Sequence, residues 1–156
     1  MPNLMPYGYE DEVITEADLM DGRPIGYRNG VAFDYIAGDF MRDGRHRIIA
    51  SDGIESWKSW CINCIQTERY KYLAYSSDFG VEWEKVFAAT SREEAESILI
   101  RQATEAILAD PYGRAAYIDN ISCTWPKADA VLVEATVHGI DDVTIDITAY
   151  ITKGAA

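Results

Sequence analysis

Cys61-Ile-Asn-Cys64 has the spacing of a redox or metal-binding pair. A reactive pair needs its first thiol at a helix N-terminus, where the dipole favours the thiolate. Here both thiols fall in the middle of a helical pattern, on its apolar stripe, and read as packed core sulfur. Zinc would require two further ligands, and Cys123, His46 and His138 are scattered without ligand spacing. The two histidines form no relay: His46 lies among Arg42, Arg45 and Arg47, and His138 stands beside Gly139. Glu68, Glu82 and Glu84 flank an aromatic segment and could be arranged as the two carboxylates of a glycan hydrolase. Carboxylates are so plentiful in this chain that a pair assigns nothing without geometry. Tyr70, Tyr72, Tyr75 and Phe79 could form a ligand platform, an interface patch or a packed layer under the first helix. No phosphate loop, dinucleotide fingerprint, Gly-x-Ser-x-Gly or His-Glu-x-x-His occurs. No cofactor or metal is expected.

The elements that would position these residues are readable from period and punctuation. Residues 1–30 read as an irregular acidic arm broken by proline and glycine, and residues 31–156 as one domain. Val31 to Ile36 and Arg47 to Ala50 suggest an N-terminal β-hairpin around an Asp43-Gly44 turn. Asp52 caps a first helix, with Ile54, Trp57, Cys61, Cys64 and Ile65 on one stripe and an end near Glu68. Tyr70 to Ser77 reads as extended, and Val81 to Phe87 fits either a short strand or a helical turn. Thr90 is the expected cap of a second helix, with Glu93 as its partner; Asp110-Pro111 stops that helix. Its stripe runs Ala95, Ile98, Leu99, Gln102, Ala103, Ala106 and Ile107. From Tyr117 onward, period-two alternation gives three strands, the last two over Val131–Val137 and Val143–Ile151. The expected class is therefore α+β: a hairpin, then two amphipathic helices packed on a C-terminal antiparallel β-meander.

Composition narrows the partners. The 156 residues carry 26 acidic and 14 basic side chains, a net charge of −12. Residues 1–40 hold eight acids against two bases, and residues 73–156 fourteen against six, whereas residues 41–72 hold six bases against four acids. No segment offers the basic surface that displaces counterions from phosphate, which speaks against nucleic acid and anionic membrane as partners. No apolar run approaches the roughly 20 residues that span a bilayer. Three cysteines, an odd number, and a start without a leader-like pattern suggest a reducing compartment.

Three blocks take the reading further: Gly53-Ile-Glu-Ser-Trp-Lys-Ser-Trp60, Thr67-Glu-Arg-Tyr-Lys-Tyr72 and Ser76-Ser-Asp-Phe-Gly-Val-Glu82. With the order hairpin, helix, Thr-Glu-Arg, Phe-Gly-Val-Glu, acidic helix and meander, they resemble the XkdS-like phage tail proteins. These are related to the gene 25-type baseplate wedge proteins, the sheath initiators of contractile tails. The resemblance spans about residues 31–151. It implies a structural, non-enzymatic part of a virion tail baseplate or tail-like particle, assembled in the bacterial host cytoplasm. It also implies a sixfold ring, with the tail sheath protein, other wedge proteins and tail tube or hub proteins as partners. The first sheath ring would add strands to its β-sheet. The positions expected to contact partners are the motif residues Glu68, Arg69, Phe79 and Gly80, the pair Asp110-Pro111, and Thr144, Asp146 and Thr148 on the wetter side of the last strand. Related wedge proteins carry Glu-Pro-Arg after the second helix, a contact to neighbouring wedge proteins. Here the acid and proline match, Tyr112 replaces the arginine, and Arg114 follows two residues later.

Overall fold

The computed structural model describes residues 27–154. The acidic arm expected over residues 1–30 thus lies, up to residue 26, outside the described residues. Tyr27 packs its ring against Trp57, centroids 5.1 Å apart.

The hairpin region is a small lobe of nested turns. Strand β1 (Gly30–Val31) pairs with β4 (Ala50–Ser51), and β2 (Phe33–Asp34) with β3 (Asp39–Phe40). The first strand breaks at Asp34, whose carboxylate accepts the N–H groups of Ile36 and Ala37 and so starts a turn there. The Asp43-Gly44 turn forms as expected, and the Asp43 carboxylate accepts the N–H groups of Arg45 and Arg47. The lobe rests on the first helix through a Tyr35 hydroxyl donating to Ser59 O at 3.0 Å and a 2.6 Å hydrogen bond between Ser51 and Ser56.

Helix α1 (Gly53–Gln66) is capped by Asp52, which accepts the Glu55 N–H at 2.8 Å. Of its expected stripe, Trp57, Cys61, Cys64 and Ile65 are buried, whereas Ile54, in the first turn, is exposed. The segment expected to be extended, Tyr70 to Ser77, is instead a chain of turns, closed by Tyr75 N–H to Tyr72 O and Phe79 N–H to Ser76 O. Tyr70 sits in the left-handed region (φ 67°), which directs the chain away from a strand path. The undecided stretch resolves as helix α2 (Trp83–Ala88), preceded by a parallel bridge between Glu68 and Val81. Helix α3 (Arg92–Leu108) begins one residue later than the Thr90 cap implies. Ser91 accepts the Glu94 N–H, and the Glu94 carboxylate returns to the Thr90 N–H, which moves the reciprocal pair one step along the chain.

Strands β5 (Ala115–Lys127), β6 (Ala130–Gly139) and β7 (Thr144–Thr152) form one antiparallel sheet in the order β5-β6-β7. Odd-numbered residues of β6 and β7 point into the core and even-numbered ones away from it, so every second residue of β7 is buried. Helix α1 packs over β7 and α3 over β5, giving a two-layer α+β domain. Trp57, Leu99, Ile107, Val131, Val133 and Ile147 occupy the middle of the core. Among the described residues no helix is long and apolar enough to cross a membrane.

Candidate partner-binding edge and its supporting loops

A three-stranded sheet has two edges, and here they differ. Strand β5 departs from its register with β6 at three places, carries Asn120 at φ 50°, and places Pro126 near its end. Bulges and proline are the devices that keep a sheet edge from accepting another strand. Strand β7 has none of them, and pairs with β6 in unbroken register from His138↔Thr144 to Ala130↔Thr152.

The register also fixes which way the β7 backbone points. The Gly139 N–H donates to Val143 O at 2.6 Å beyond one end, and the Lys153 N–H donates to Asp129 O at 2.7 Å beyond the other. Residues of hydrogen-bonded antiparallel pairs alternate with residues that direct both backbone groups outward. Both end contacts assign the odd positions of β7 to β6. Thr144, Asp146, Thr148, Tyr150 and Thr152 therefore aim their N–H and C=O groups off the sheet, where no described strand meets them. Three of them are the expected Thr144, Asp146 and Thr148. Their side chains are exposed; the Thr136 hydroxyl donates to Asp146 at 2.8 Å, and the Thr144 hydroxyl lies 3.2 Å from His138 Nδ1.

The motif positions around residues 67–82 play a different part. Arg69 is buried and reaches across the fold: Nε donates to Gly80 O at 2.9 Å, Nη2 to Gln102 O at 3.2 Å, and Nη1 lies 3.6 Å from Glu105. Gly80 has φ 95°, and a Cβ there would sit 2.7 Å from Thr67 O, so glycine is required where the two ends of the loop cross. Phe79 is buried, stacked on Tyr75 at 4.3 Å and edge-on to Trp60 at 5.7 Å. The aromatic segment is thus partly core and partly surface, since Tyr70, Tyr72, Leu73 and Tyr75 remain exposed.

Gln102 was visible in the sequence only as a polar break in an apolar stripe. Its side chain accepts the Glu82 N–H at 2.7 Å and donates to the Glu82 carboxylate at 2.7 Å, tying α3 to the start of α2. Lys85 completes the site 2.6 Å from Glu82 and, more than the other contacts, holds that carboxyl below the usual glutamate range.

Asp110 and Arg114 form a buried bidentate pair, Nε to Oδ2 at 2.7 Å and Nη2 to Oδ1 at 3.0 Å. Arg114, two residues beyond Tyr112, closes the turn on itself, leaving Pro111 and Tyr112 exposed. Its guanidinium also faces the rings of Tyr112 and Trp60 at 5.1 and 5.6 Å.

The carboxylates considered for hydrolysis are divided. Glu68 and Glu84 line an open cleft of about 630 Å³ with Tyr70, Phe87 and Lys153, whereas Glu82 is held by Lys85 and Gln102. Burial pushes the Glu68 carboxyl up, opposed by the backbone N–H groups of Trp83 and Glu84. The thiols are held protonated: burial drives Cys64 and Cys123 up to about 11, and Cys61 further still.

A search among curated proteins finds no match to the chain. A family model described as the contractile injection system sheath initiator matches residues 30–142, from β1 through the turn after β6. That span holds the lobe, the three described helices and two strands of the sheet, well over half of the sequence. The family's role is structural, at the baseplate and sheath of contractile injection systems, and by this match the chain belongs to the contractile injection system sheath initiators.

Proposed function

We propose that this chain joins a baseplate to the tail sheath and templates the first sheath ring by accepting strands along β7, with no chemical step. The unbroken β7 edge, with outward backbone at alternate residues, carries this reading. Each added backbone hydrogen bond nets only about 0.5–1.5 kcal/mol, so one edge binds weakly. Six copies held in a ring would gain from effective concentration. Wedge proteins and tube or hub proteins would hold the ring from its other sides, and assembly would take place in the bacterial cytoplasm.

Amide hydrogen exchange with and without the cognate sheath protein tests the edge directly. The N–H groups of Asp146, Thr148, Tyr150 and Thr152 are expected to become protected on complex formation. Those of Ile145, Ile147, Ala149 and Ile151, already bonded to β6, should change little. A complex that forms while the even-numbered amides keep exchanging freely would refute strand addition at β7.

A second reading, a glycan hydrolase, draws on Glu68 and Glu84 sharing one cleft. Turbidity of a peptidoglycan suspension decides it. We expect no clearing; clearing that Glu68→Gln abolishes would establish the hydrolase.

A further inference from the structure

The open edge of β7 is bordered by carboxylates without cations. No lysine or arginine occurs between Lys127 and Lys153, so β6 and β7 carry none. Asp141 and Asp142 are exposed in the turn that leads into β7, Asp146 is exposed on the strand, and Glu134 is exposed on β6 opposite Thr148. Elsewhere carboxylates meet basic side chains, as Asp43 meets Arg47, Glu82 meets Lys85 and Asp110 meets Arg114. Among the described residues no lysine or arginine forms an ion pair with Glu134 or Asp146; Asp146 accepts the Thr136 hydroxyl instead.

The register fixes where these groups lie relative to an added strand. Even-numbered residues of β7 send their backbone groups off the edge and their side chains to the face turned away from the helices. A residue paired with one of them therefore carries its own side chain on that same face. Opposite Asp146 it meets a carboxylate directly. Opposite Thr148 it meets a small side chain, with Glu134 one strand further in. Strands lie about 4.8 Å apart, so a lysine or arginine there can reach over the threonine toward Glu134. Opposite Tyr150 it meets a half-exposed ring, with Leu132 behind it.

We infer that the β7 edge selects its strand by charge: the accepted segment carries lysine or arginine at the two alternate positions opposite Asp146 and Thr148, and an apolar or aromatic residue opposite Tyr150. The inference rests on strand addition at β7 and adds to it which strand is taken. Backbone hydrogen bonds are the same for any extended sequence, so they cannot choose among strands; side chains at alternate positions do. Opposite charges across a strand pair attract and like charges repel, so a segment with acids at those two positions is rejected. The exposed aspartates of the turn extend the same field past the Thr144 end, which speeds encounter with a basic segment.

Binding of the cognate sheath protein to the full chain tests this, measured at about 0.1 M and about 1 M salt, where the Debye length falls from about 10 to about 3 Å. Wild-type binding should weaken as salt rises. Glu134→Lys with Asp146→Lys should bind about tenfold more weakly than wild type at the lower salt, with unchanged circular dichroism, and should not weaken further as salt rises. Asp78→Lys with Glu93→Lys changes the total charge equally at exposed positions off the sheet and should bind as wild type does. Amide exchange on the wild-type complex separates the two claims. If the even-numbered β7 amides are protected but the sheet variant binds within about twofold of wild type, or no more weakly than the control, charge selection is overturned and strand addition stands. If those amides stay unprotected in the complex, both are overturned.

Discussion

Arg114 answers a buried carboxylate, and that makes it the side chain whose loss the fold should feel most. The Asp110 side chain is fully buried, and both its oxygens are taken by one guanidinium. Arg114→Ala leaves that charge without a partner and is expected to cost about 3–5 kcal/mol. Asp110→Ala combined with Arg114→Met should recover most of it. Urea unfolding measures both; a single variant within about 1 kcal/mol of wild type would contradict the assignment. Glu82 gives a prediction in pH. Its folded carboxyl lies below the ordinary glutamate range, first because of the Lys85 hydrogen bond. A lowered carboxyl stabilises the fold above its unfolded pKa, and that contribution is lost as pH falls through the folded value. The stability gap between wild type and Glu82→Gln should therefore be present at pH 7 and shrink on acidification below about pH 4. A gap that stays constant would count against the linkage. Neither site was legible as such in the sequence. Arg114 looked like a displaced motif residue, and Gln102 like a flaw in an apolar stripe. What gives them roles is contact between residues four and twenty positions apart in the chain, which period does not encode.

The long elements were legible because their burial repeats. The stripe of α1 and the alternation of β6 and β7 follow from sides that face one core, and each cap lay within one residue of the expected place. The short pieces had no such signal. Strands of two residues in the lobe carry no period, and the loop from Thr67 to Val81 is shaped by Arg69 reaching Gln102, thirty-three positions on. The direction of each backbone group along β7 was likewise beyond the sequence, since alternation shows which side chains are buried but not which strand lies on which side. The register makes a stability prediction. Ile147→Pro removes a bond to β6 and should cost about 3 kcal/mol or more. Thr148→Pro removes only an N–H that points off the sheet, a position edge strands tolerate, and should cost far less. Equal losses in urea unfolding would show the parity to be wrong.

At the scale of the whole molecule, the fold keeps its chemistry inside and its backbone outside. Cys61 and Cys64 are core, Cys123 packs half-buried against it, the Asp110–Arg114 pair is sealed, and the motif residues Arg69, Phe79 and Gly80 build the loop beside α2. The bulged β5 edge and the clean β7 edge give the sheet one side suited to a partner. This asymmetry underlies the proposed role as a template. The most direct test is sheath assembly on baseplates carrying Thr148→Pro. The account predicts complete baseplates without sheath for Thr148→Pro. Sheaths of normal length on Thr148→Pro baseplates would contradict it.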